Sequence, residues 1–181
     1  IVSFVMVMYP NLAKFSDNLD RFRTSIARGV QVTILVSFPT IIGIFILKEP
    51  IINLIYEHGS FDSNDTLVTS IALGCFSVSI LGIGLRELLN KAFYALKDTK
   101  IPMYNGIIAI CLNIILDIIF VRIWGIYGLA AATSLSALIS GGMLLIRLKR
   151  KLIHIHGKSI SVYFLKCLVA AVIMGVLIVV L

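Results

Sequence analysis

Asp117 is a carboxylic acid in the middle of an apolar run, residues 107–121, that is otherwise greasy enough to lie in lipid. An ionisable side chain at membrane depth costs about 3 kcal/mol on insertion scales, so it marks a functional site or a specific buried partner. Asn113 precedes it by one helical turn and projects from the same face. After the short link Trp124-Gly125-Ile126-Tyr127-Gly128, a second apolar run returns antiparallel and carries Thr133 in Ala132-Thr133-Ser134. At a rise of about 1.5 Å per residue, Asp117 lies about 9 Å below the helix end near Ile123, and Thr133 about 10 Å below the restart near Ile126. A carboxylate, an amide oxygen and a hydroxyl can thus meet at one level. They are hard ligands, suited to Na⁺, another hard cation or a proton. A plainer reading fits the same residues: Asp117 hydrogen-bonds a neighbouring helix, and Asn113 and Thr133 are interhelical glue. Both readings stay open on the residues alone.

A second group is basic. Arg86, Lys91, Lys97 and Lys100 cluster at one mouth of the apolar spans, and the expected cation site lies in the outer third, away from them. Arg86, on a helix near the membrane boundary, has a fork that can hold a phosphate or pyrophosphate head group bidentately, so Arg86 and Lys91 are candidate substrate contacts. Glu87 beside Arg86 can equally neutralise it, and simple membrane topology explains Lys97 and Lys100. The linker Arg147-Leu148-Lys149-Arg150-Lys151 can attract anionic lipid or merely anchor its helix. No nucleophile, base and oxyanion-hole set stands out, since His58, His154 and His156 have no spaced partner. There is no phosphate-cradling glycine loop. The expectation is a protein that is not an enzyme, needs no cofactor beyond a candidate Na⁺, and draws any transport energy from an ion gradient, the membrane potential or a partner.

The elements that must position these residues are membrane helices. Of 181 residues, 59% are hydrophobic and only 14% charged, with a mean hydropathy of +1.04. That composition belongs to an all-α, polytopic transmembrane helix bundle. The chain opens and stops inside apolar runs, which reads as a fragment of a longer protein. Cys75, Cys111 and Cys167 each lie in a different apolar segment without metal or redox spacing.

Residues 1–9 read as the end of one helix, stopped by Pro10. Residues 11–29 are amphipathic, with Phe15, Leu19, Phe22 and Ile26 at helical spacing among basic residues, and read as a helix lying along the membrane surface. Spans follow at about 30–47, with Pro39 at the centre, then 67–85, 103–123, 126–146 and 160–181. Asp62 is placed to cap the second of these, with Asp65 in its first turn. Loops 10–30, 86–101 and 147–159 hold four, four and five Lys/Arg, whereas loops 48–66 and 122–127 hold one each. The positive-inside rule makes the basic loops cytoplasmic. A net charge of +7 placed this way argues against nucleic acid as a partner.

Three segments carry a resemblance. They are Ile55-Tyr56-Glu57-His58-Gly59-Ser60-Phe61 with Asp65-Thr66, then Lys91-Ala92-Phe93-Tyr94-Ala95-Leu96-Lys97-Asp98-Thr99-Lys100-Ile101-Pro102, then the run from Gly125 to Leu135. Together they resemble the MurJ (MviN) family of bacterial lipid II flippases, within the multidrug/oligosaccharidyl-lipid/polysaccharide exporter superfamily. The second segment is the most specific. The resemblance implies a fourteen-helix, two-lobed exporter fold, of which this chain would be most of the C-terminal lobe and the N-terminal lobe a missing partner. It implies a multi-pass protein of the bacterial plasma membrane. The substrate implied is an undecaprenyl-pyrophosphate-linked peptidoglycan precursor, turned from inner to outer leaflet by alternating access. It also implies a sodium site in this lobe, with Asn113, Asp117, Thr133 and the carbonyl of Leu129 on the matching positions.

Competing functions are a flippase for another lipid-linked polysaccharide, a cation-coupled drug exporter of the same superfamily, and a non-transporting membrane scaffold. Topology gives the first test. A cysteine introduced beside Arg150 should resist an impermeant thiol reagent added from outside whole cells and react only after permeabilisation. Labelling in intact cells would reverse the orientation.

Overall fold

The computed structural model describes residues 18–56, 62–152 and 157–180, with Pro10, Leu12 and Lys14, and the side chains of the last segment over 163–177. The expected helix end at 1–9, the Glu57–Phe61 loop and the two linker histidines lie outside the described residues. The helices are α1 (Leu19–Tyr56), α2 (Ser63–Ser77), α3 (Ser79–Ala95), α4 (Lys100–Trp124), α5 (Ile126–Leu152) and α6 (Gly157–Val180). Four stretches are long and apolar enough to cross a membrane: α1, α2 with α3, α4, and α5. The fold is therefore all-α and polytopic.

Two expected boundaries move. Residues 19–29 do not form a separate surface helix, because α1 runs unbroken for 38 residues through Pro39 and Pro50. The reason is one continuous stripe. Phe22, Ile26, Val30, Ile34 and Phe38 recur every fourth residue, and all are buried in the same core. Likewise the second span does not stop at 85. α2 and α3 form a 33-residue stretch interrupted only at Val78, so Arg86 and Lys91 lie inside a helix rather than in a loop. Leu88, Leu89, Ala92 and Phe93 carry that helix into the core beside Phe22 and Ile26, where Leu144, Leu148 and Leu152 of α5 close the basic end of the bundle. A 38-residue helix spans about 57 Å, well beyond a hydrocarbon layer of about 30 Å, so part of α1 extends past the lipid.

The turns follow from particular residues. Asp62 caps α2 by accepting from the Asn64 and Asp65 amides, and Asp65 accepts from the Asp62 amide in return. α3 ends with Lys97 in the left-handed region at φ 57°. The Lys97 amide donates to the Tyr94 carbonyl and the Asp98 amide to the Phe93 carbonyl, the paired bonds of a Schellman motif. The Asp98 carboxylate then accepts from the Ile101 amide at the start of α4 and from the Lys151 ammonium at the end of α5. The hydrogen bond from Lys151 holds the Asp98 carboxyl below its usual range. Pro102 sits in the first turn of α4, where its missing N–H costs nothing. Between α4 and α5 the link shrinks to Gly125 at φ 59°, a backbone that glycine adopts without strain.

α5 is the central helix, packed on α2, α3 and α4. Its buried face is small over most of its length, from Gly128 through Ala130, Ala132, Ser134, Ser136, Ala137, Ser140 and Gly141, and this lets backbones approach closely. A Cβ on Gly82 of α3 would stand 2.6 Å from both the Ala137 carbonyl oxygen and the Leu138 amide nitrogen. One on Gly128 would strike the Phe120 carbonyl. α6 lies against α1, with Phe164 edge-on to Phe38 at 4.9 Å.

Gly82→Ala should therefore force α3 and α5 apart and destabilise the lobe by about 1–3 kcal/mol. Gly142→Ala, where an added Cβ meets nothing within 4 Å, should cost nothing. Thermal unfolding of the two variants in detergent checks this, and equal midpoints would show that the close crossing does not hold the bundle.

Candidate cation site

The site grows from the contact between α4 and α5. Asn105, Ala109, Asn113 and Asp117 recur every four residues along α4, so they descend one slowly turning face. α5 runs back antiparallel and offers Ser140, Ser136, Thr133 and Leu129. At the inner end the two helices are bolted. Asn105 Nδ2 donates to Ser140 Oγ at 2.8 Å, and Ser136 Oγ donates to the Ala109 carbonyl at 3.1 Å. These bonds fix the register of the pair, and the short Gly125 link leaves little slack to change it.

One step outward, Asn113 and Thr133 line a common pocket of about 150 Å³ together with Ile83, Arg86, Ala109, Ile110, Ser136 and Ala137. Thr133 Oγ1 donates to the Leu129 carbonyl at 3.0 Å. That bond spends the hydroxyl proton and leaves the Thr133 oxygen lone pairs to face the pocket. Asp117 and Leu129 are not among the residues lining it; Asp117 sits one turn beyond Asn113. The Asn113 amide nitrogen and the Asp117 Oδ1 are both buried and neither has a hydrogen-bond partner. An unsatisfied buried polar atom costs about 1–3 kcal/mol; Asn113 and Asp117 hold such atoms on successive turns, and Asn105 Oδ1 is a third on the same helix face.

Oxygens of the kind a hard cation takes are present: Asp117 Oδ1 is buried without a partner, Asn113 has an amide oxygen and Thr133 a hydroxyl oxygen, whereas the Leu129 carbonyl already accepts from Thr133. Among the described residues no three His, Cys, Asp or Glu side chains group as a transition-metal site would require.

Arg86, expected to stand away from the cation-site residues, lines the same pocket as Asn113 and Thr133; it is half-buried, nine residues inside the end of α3. Among the described residues its guanidinium makes no ion pair or hydrogen bond, and Glu87 does not neutralise it. Lys91, also half-buried, lies five residues nearer the basic end and is not a lining residue of this pocket. Sequence reasoning passed over Ser136 and the Asn105–Ser140 pair. Their signal was available in the four-residue spacing that continues inward from Asp117 and Asn113 to Asn105.

A break in the neighbouring stretch belongs to the same region. Around Val78, Ser77 Oγ donates to the Gly74 carbonyl, Ser79 Oγ to the Phe76 carbonyl and Ser134 Oγ of α5 to the Cys75 carbonyl, at 2.7, 2.7 and 2.6 Å. Hydroxyls thus bind three successive carbonyls, which makes an irregular helix tolerable at membrane depth.

Comparison with known proteins places this arrangement. The family model for "Lipid II flippase MurJ" matches residues 1–181. The lipid II flippase MurJ of Thermosipho africanus is 35% identical over 138 residues, 76% of this chain and 29% of that protein. The probable lipid II flippase MurJ of Haemophilus influenzae is 29% identical over 182 residues, 96% of this chain and 36% of that protein. A solved structure of lipid II flippase MurJ in an inward closed conformation superposes with a TM-score of 0.83 at 32% identity, over 97% of this chain and 36% of that one. The chain thus spans about a third of the length of the relatives it matches. Matched from its first residue to its last, it belongs to the lipid II flippase MurJ family.

Proposed function

We propose that this chain is most of the C-terminal lobe of a flippase that turns an undecaprenyl-pyrophosphate-linked peptidoglycan precursor from the inner to the outer leaflet of the bacterial plasma membrane. The observation that carries the reading is the match to the MurJ family over the whole chain, joined by the superposition on a MurJ structure. The substrate is moved without any bond being made or broken. Its charged head group cannot cross hydrocarbon unaided, so two lobes must shield it between them, and the N-terminal lobe is the partner this reading requires. The basic loops face the cytoplasm, where Lys/Arg-rich segments are retained.

The polar seam of α4 and α5 supplies the coupling in this reading. Na⁺, when bound, supplies the positive charge that lets a carboxylate stay ionised away from water. Asp117 provides the charged ligand, Asn113 and Thr133 neutral oxygens, and the Leu129 carbonyl a fourth. Because those residues sit on two helices held in fixed register, they report the α4–α5 geometry. A cation shifts the ratio of the two access states only by its differential affinity for them.

Two measurements test the reading. Depleting the full-length protein in cells should raise the inner-leaflet pool of lipid-linked peptidoglycan precursor and end in lysis. Loss of a surface polymer with peptidoglycan intact would point to another lipid-linked substrate. In purified full-length protein, Na⁺ should raise the thermal unfolding midpoint relative to choline. Asp117→Asn, nearly isosteric, should keep the fold and weaken Na⁺ at least about tenfold, equivalent to about 1.4 kcal/mol. An identical response in both proteins would make Asp117 interhelical glue.

A further inference from the structure

The α2–α3 stretch is continuous in sequence but is held in two different ways. From Ser79 to Ala95 it is anchored. Leu88, Leu89, Ala92 and Phe93 are fully buried in the core. Gly82 lies so close to α5 that an added Cβ would stand 2.4 Å from the Ala137 carbonyl carbon. From Ser63 to Ser77 nothing comparable holds it. The buried residues of α2 are Thr66, Ser70, Gly74 and Ser77, and no described residue of α2 belongs to the buried hydrophobic core. A Cβ on Gly74 would meet side chains and not backbone, Lys48 at 3.3 Å and Phe45 at 3.5 Å. Ser70 Oγ and Ser77 Oγ donate to carbonyls of their own helix, at Leu67 and Gly74. So α2 has neither the leucine core of α3 nor its backbone-on-backbone contact. Segments with few buried apolar contacts move before firmly packed ones.

The two halves meet at Val78. Its dihedrals are near-helical, φ −64° and ψ −28°, so the chain runs on without a turn. The change is in the hydrogen bonding. The carbonyls of Gly74, Cys75 and Phe76 accept from Ser77 Oγ, Ser134 Oγ and Ser79 Oγ. A side chain inserted into the backbone ladder is one of the few causes of a helix bend. Bending in hydrocarbon is costly when it strands carbonyls, and here three successive carbonyls have hydroxyl partners at the joint. Ser77 and Ser79 belong to the stretch itself, whereas Ser134 belongs to α5. At the far end of α2, the bonds of the Asp62 cap run within α2.

We infer that α2 is a rocking arm of the lobe. It pivots at Val78 while α3 stays fixed on α5, and the Ser134–Cys75 bond is the latch that holds the arm in the position seen. Releasing that hydroxyl lets the Asp62 end swing while the basic end keeps its packing. Leu67 lies about 16 Å from the pivot, so a tilt of about 15° carries it about 4 Å. The pivot depends neither on the cargo nor on a bound cation, and so goes beyond the flippase reading without resting on it.

Double electron–electron resonance on full-length protein in nanodiscs, in a background free of other cysteines, tests this. Spin labels at the exposed Leu67 of α2 and Ile118 of α4 should give two distance populations about 4 Å apart. Labels at the exposed Tyr94 of α3 and Met103 of α4 should give one narrow population. Ser134→Ala, which removes the latch, should raise the ratio of the swung to the latched population by about two- to tenfold. Ser134→Thr, which keeps a hydroxyl, should stay near wild type. A single narrow population for the α2 pair with Ser134 intact overturns the inference, and this comparison stands even where Ser134→Ala fails to fold. An equally broad distribution for the α3 pair overturns it too, since α3 is then not the fixed half. An unchanged ratio in Ser134→Ala overturns the latch.

Discussion

Hydrocarbon offers no hydrogen bonds, so every polar group carried into it must find a partner in the protein. The α4–α5 contact is built around that constraint. Asn105 answers to Ser140, and Ser136 to the Ala109 carbonyl. Sliding one helix past the other would orphan both pairs, so the bonds act as a register lock as well as glue. Once the inner half is locked, the outer half has no freedom left. Asn113 and Thr133 must share a pocket, and Asp117 must follow one turn later. Three buried atoms on this face lack partners: Asn105 Oδ1 at the first bolt, and Asn113 Nδ2 and Asp117 Oδ1 beyond both bolts.

The rest of the lobe keeps that seam in place. α5 can sit at the centre because its buried face is mostly glycine, alanine and serine, and helix α3 crosses it with backbone nearly on backbone at Gly82, Ala137 and Gly141. Van der Waals contact and short polar bonds hold helices together where lipid is as apolar as leucine. At the basic end the packing changes character. There large side chains replace small ones, with Phe22, Phe93, Leu88, Leu89, Leu144 and Leu148 fully buried. The Lys97–Pro102 segment finishes that end. Its Schellman turn reverses the chain, and Asp98 ties the start of α4 to Lys151 at the end of α5. This segment is thus the clasp that sets where α4 begins, and through α4's length it sets the position of Asn113 and Asp117.

Arg86 links the two regimes. It lies on the long α2–α3 stretch, beyond the hydroxyl-bound break at Val78 and before the leucine core. A helix broken at one point and firmly packed at its end can change direction at the break while keeping its packed half intact. Its charge faces a pocket whose other polar members belong to α4 and α5.

Much of this was legible in the residues. Composition alone required an all-α membrane bundle. Gly125 marked the tight link, Asp62 and Asp65 the capped start of α2, and the four-residue interval put Asn113 and Asp117 on one face. All of these are local properties, fixed by the helical period, by glycine's access to positive φ and by the reach of a short carboxylate. Charge near the edge of a span does not mark the end of its helix, since α1 and α3 run on through basic residues. Phe22 and Ile26 were in step with Val30, Ile34 and Phe38 all along, but a basic amphipathic stretch looks the same whether its apolar stripe meets lipid or protein. Only the tertiary structure decided which. It alone brought Arg86 beside Asn113 and Thr133, and chose Ser140 and Ala109 as the partners of Asn105 and Ser136. Spacing within a helix states which residues share a face. Which face of another helix they meet depends on crossing and translation between helices, set by the summed packing of small residues along their whole length and written at no single position.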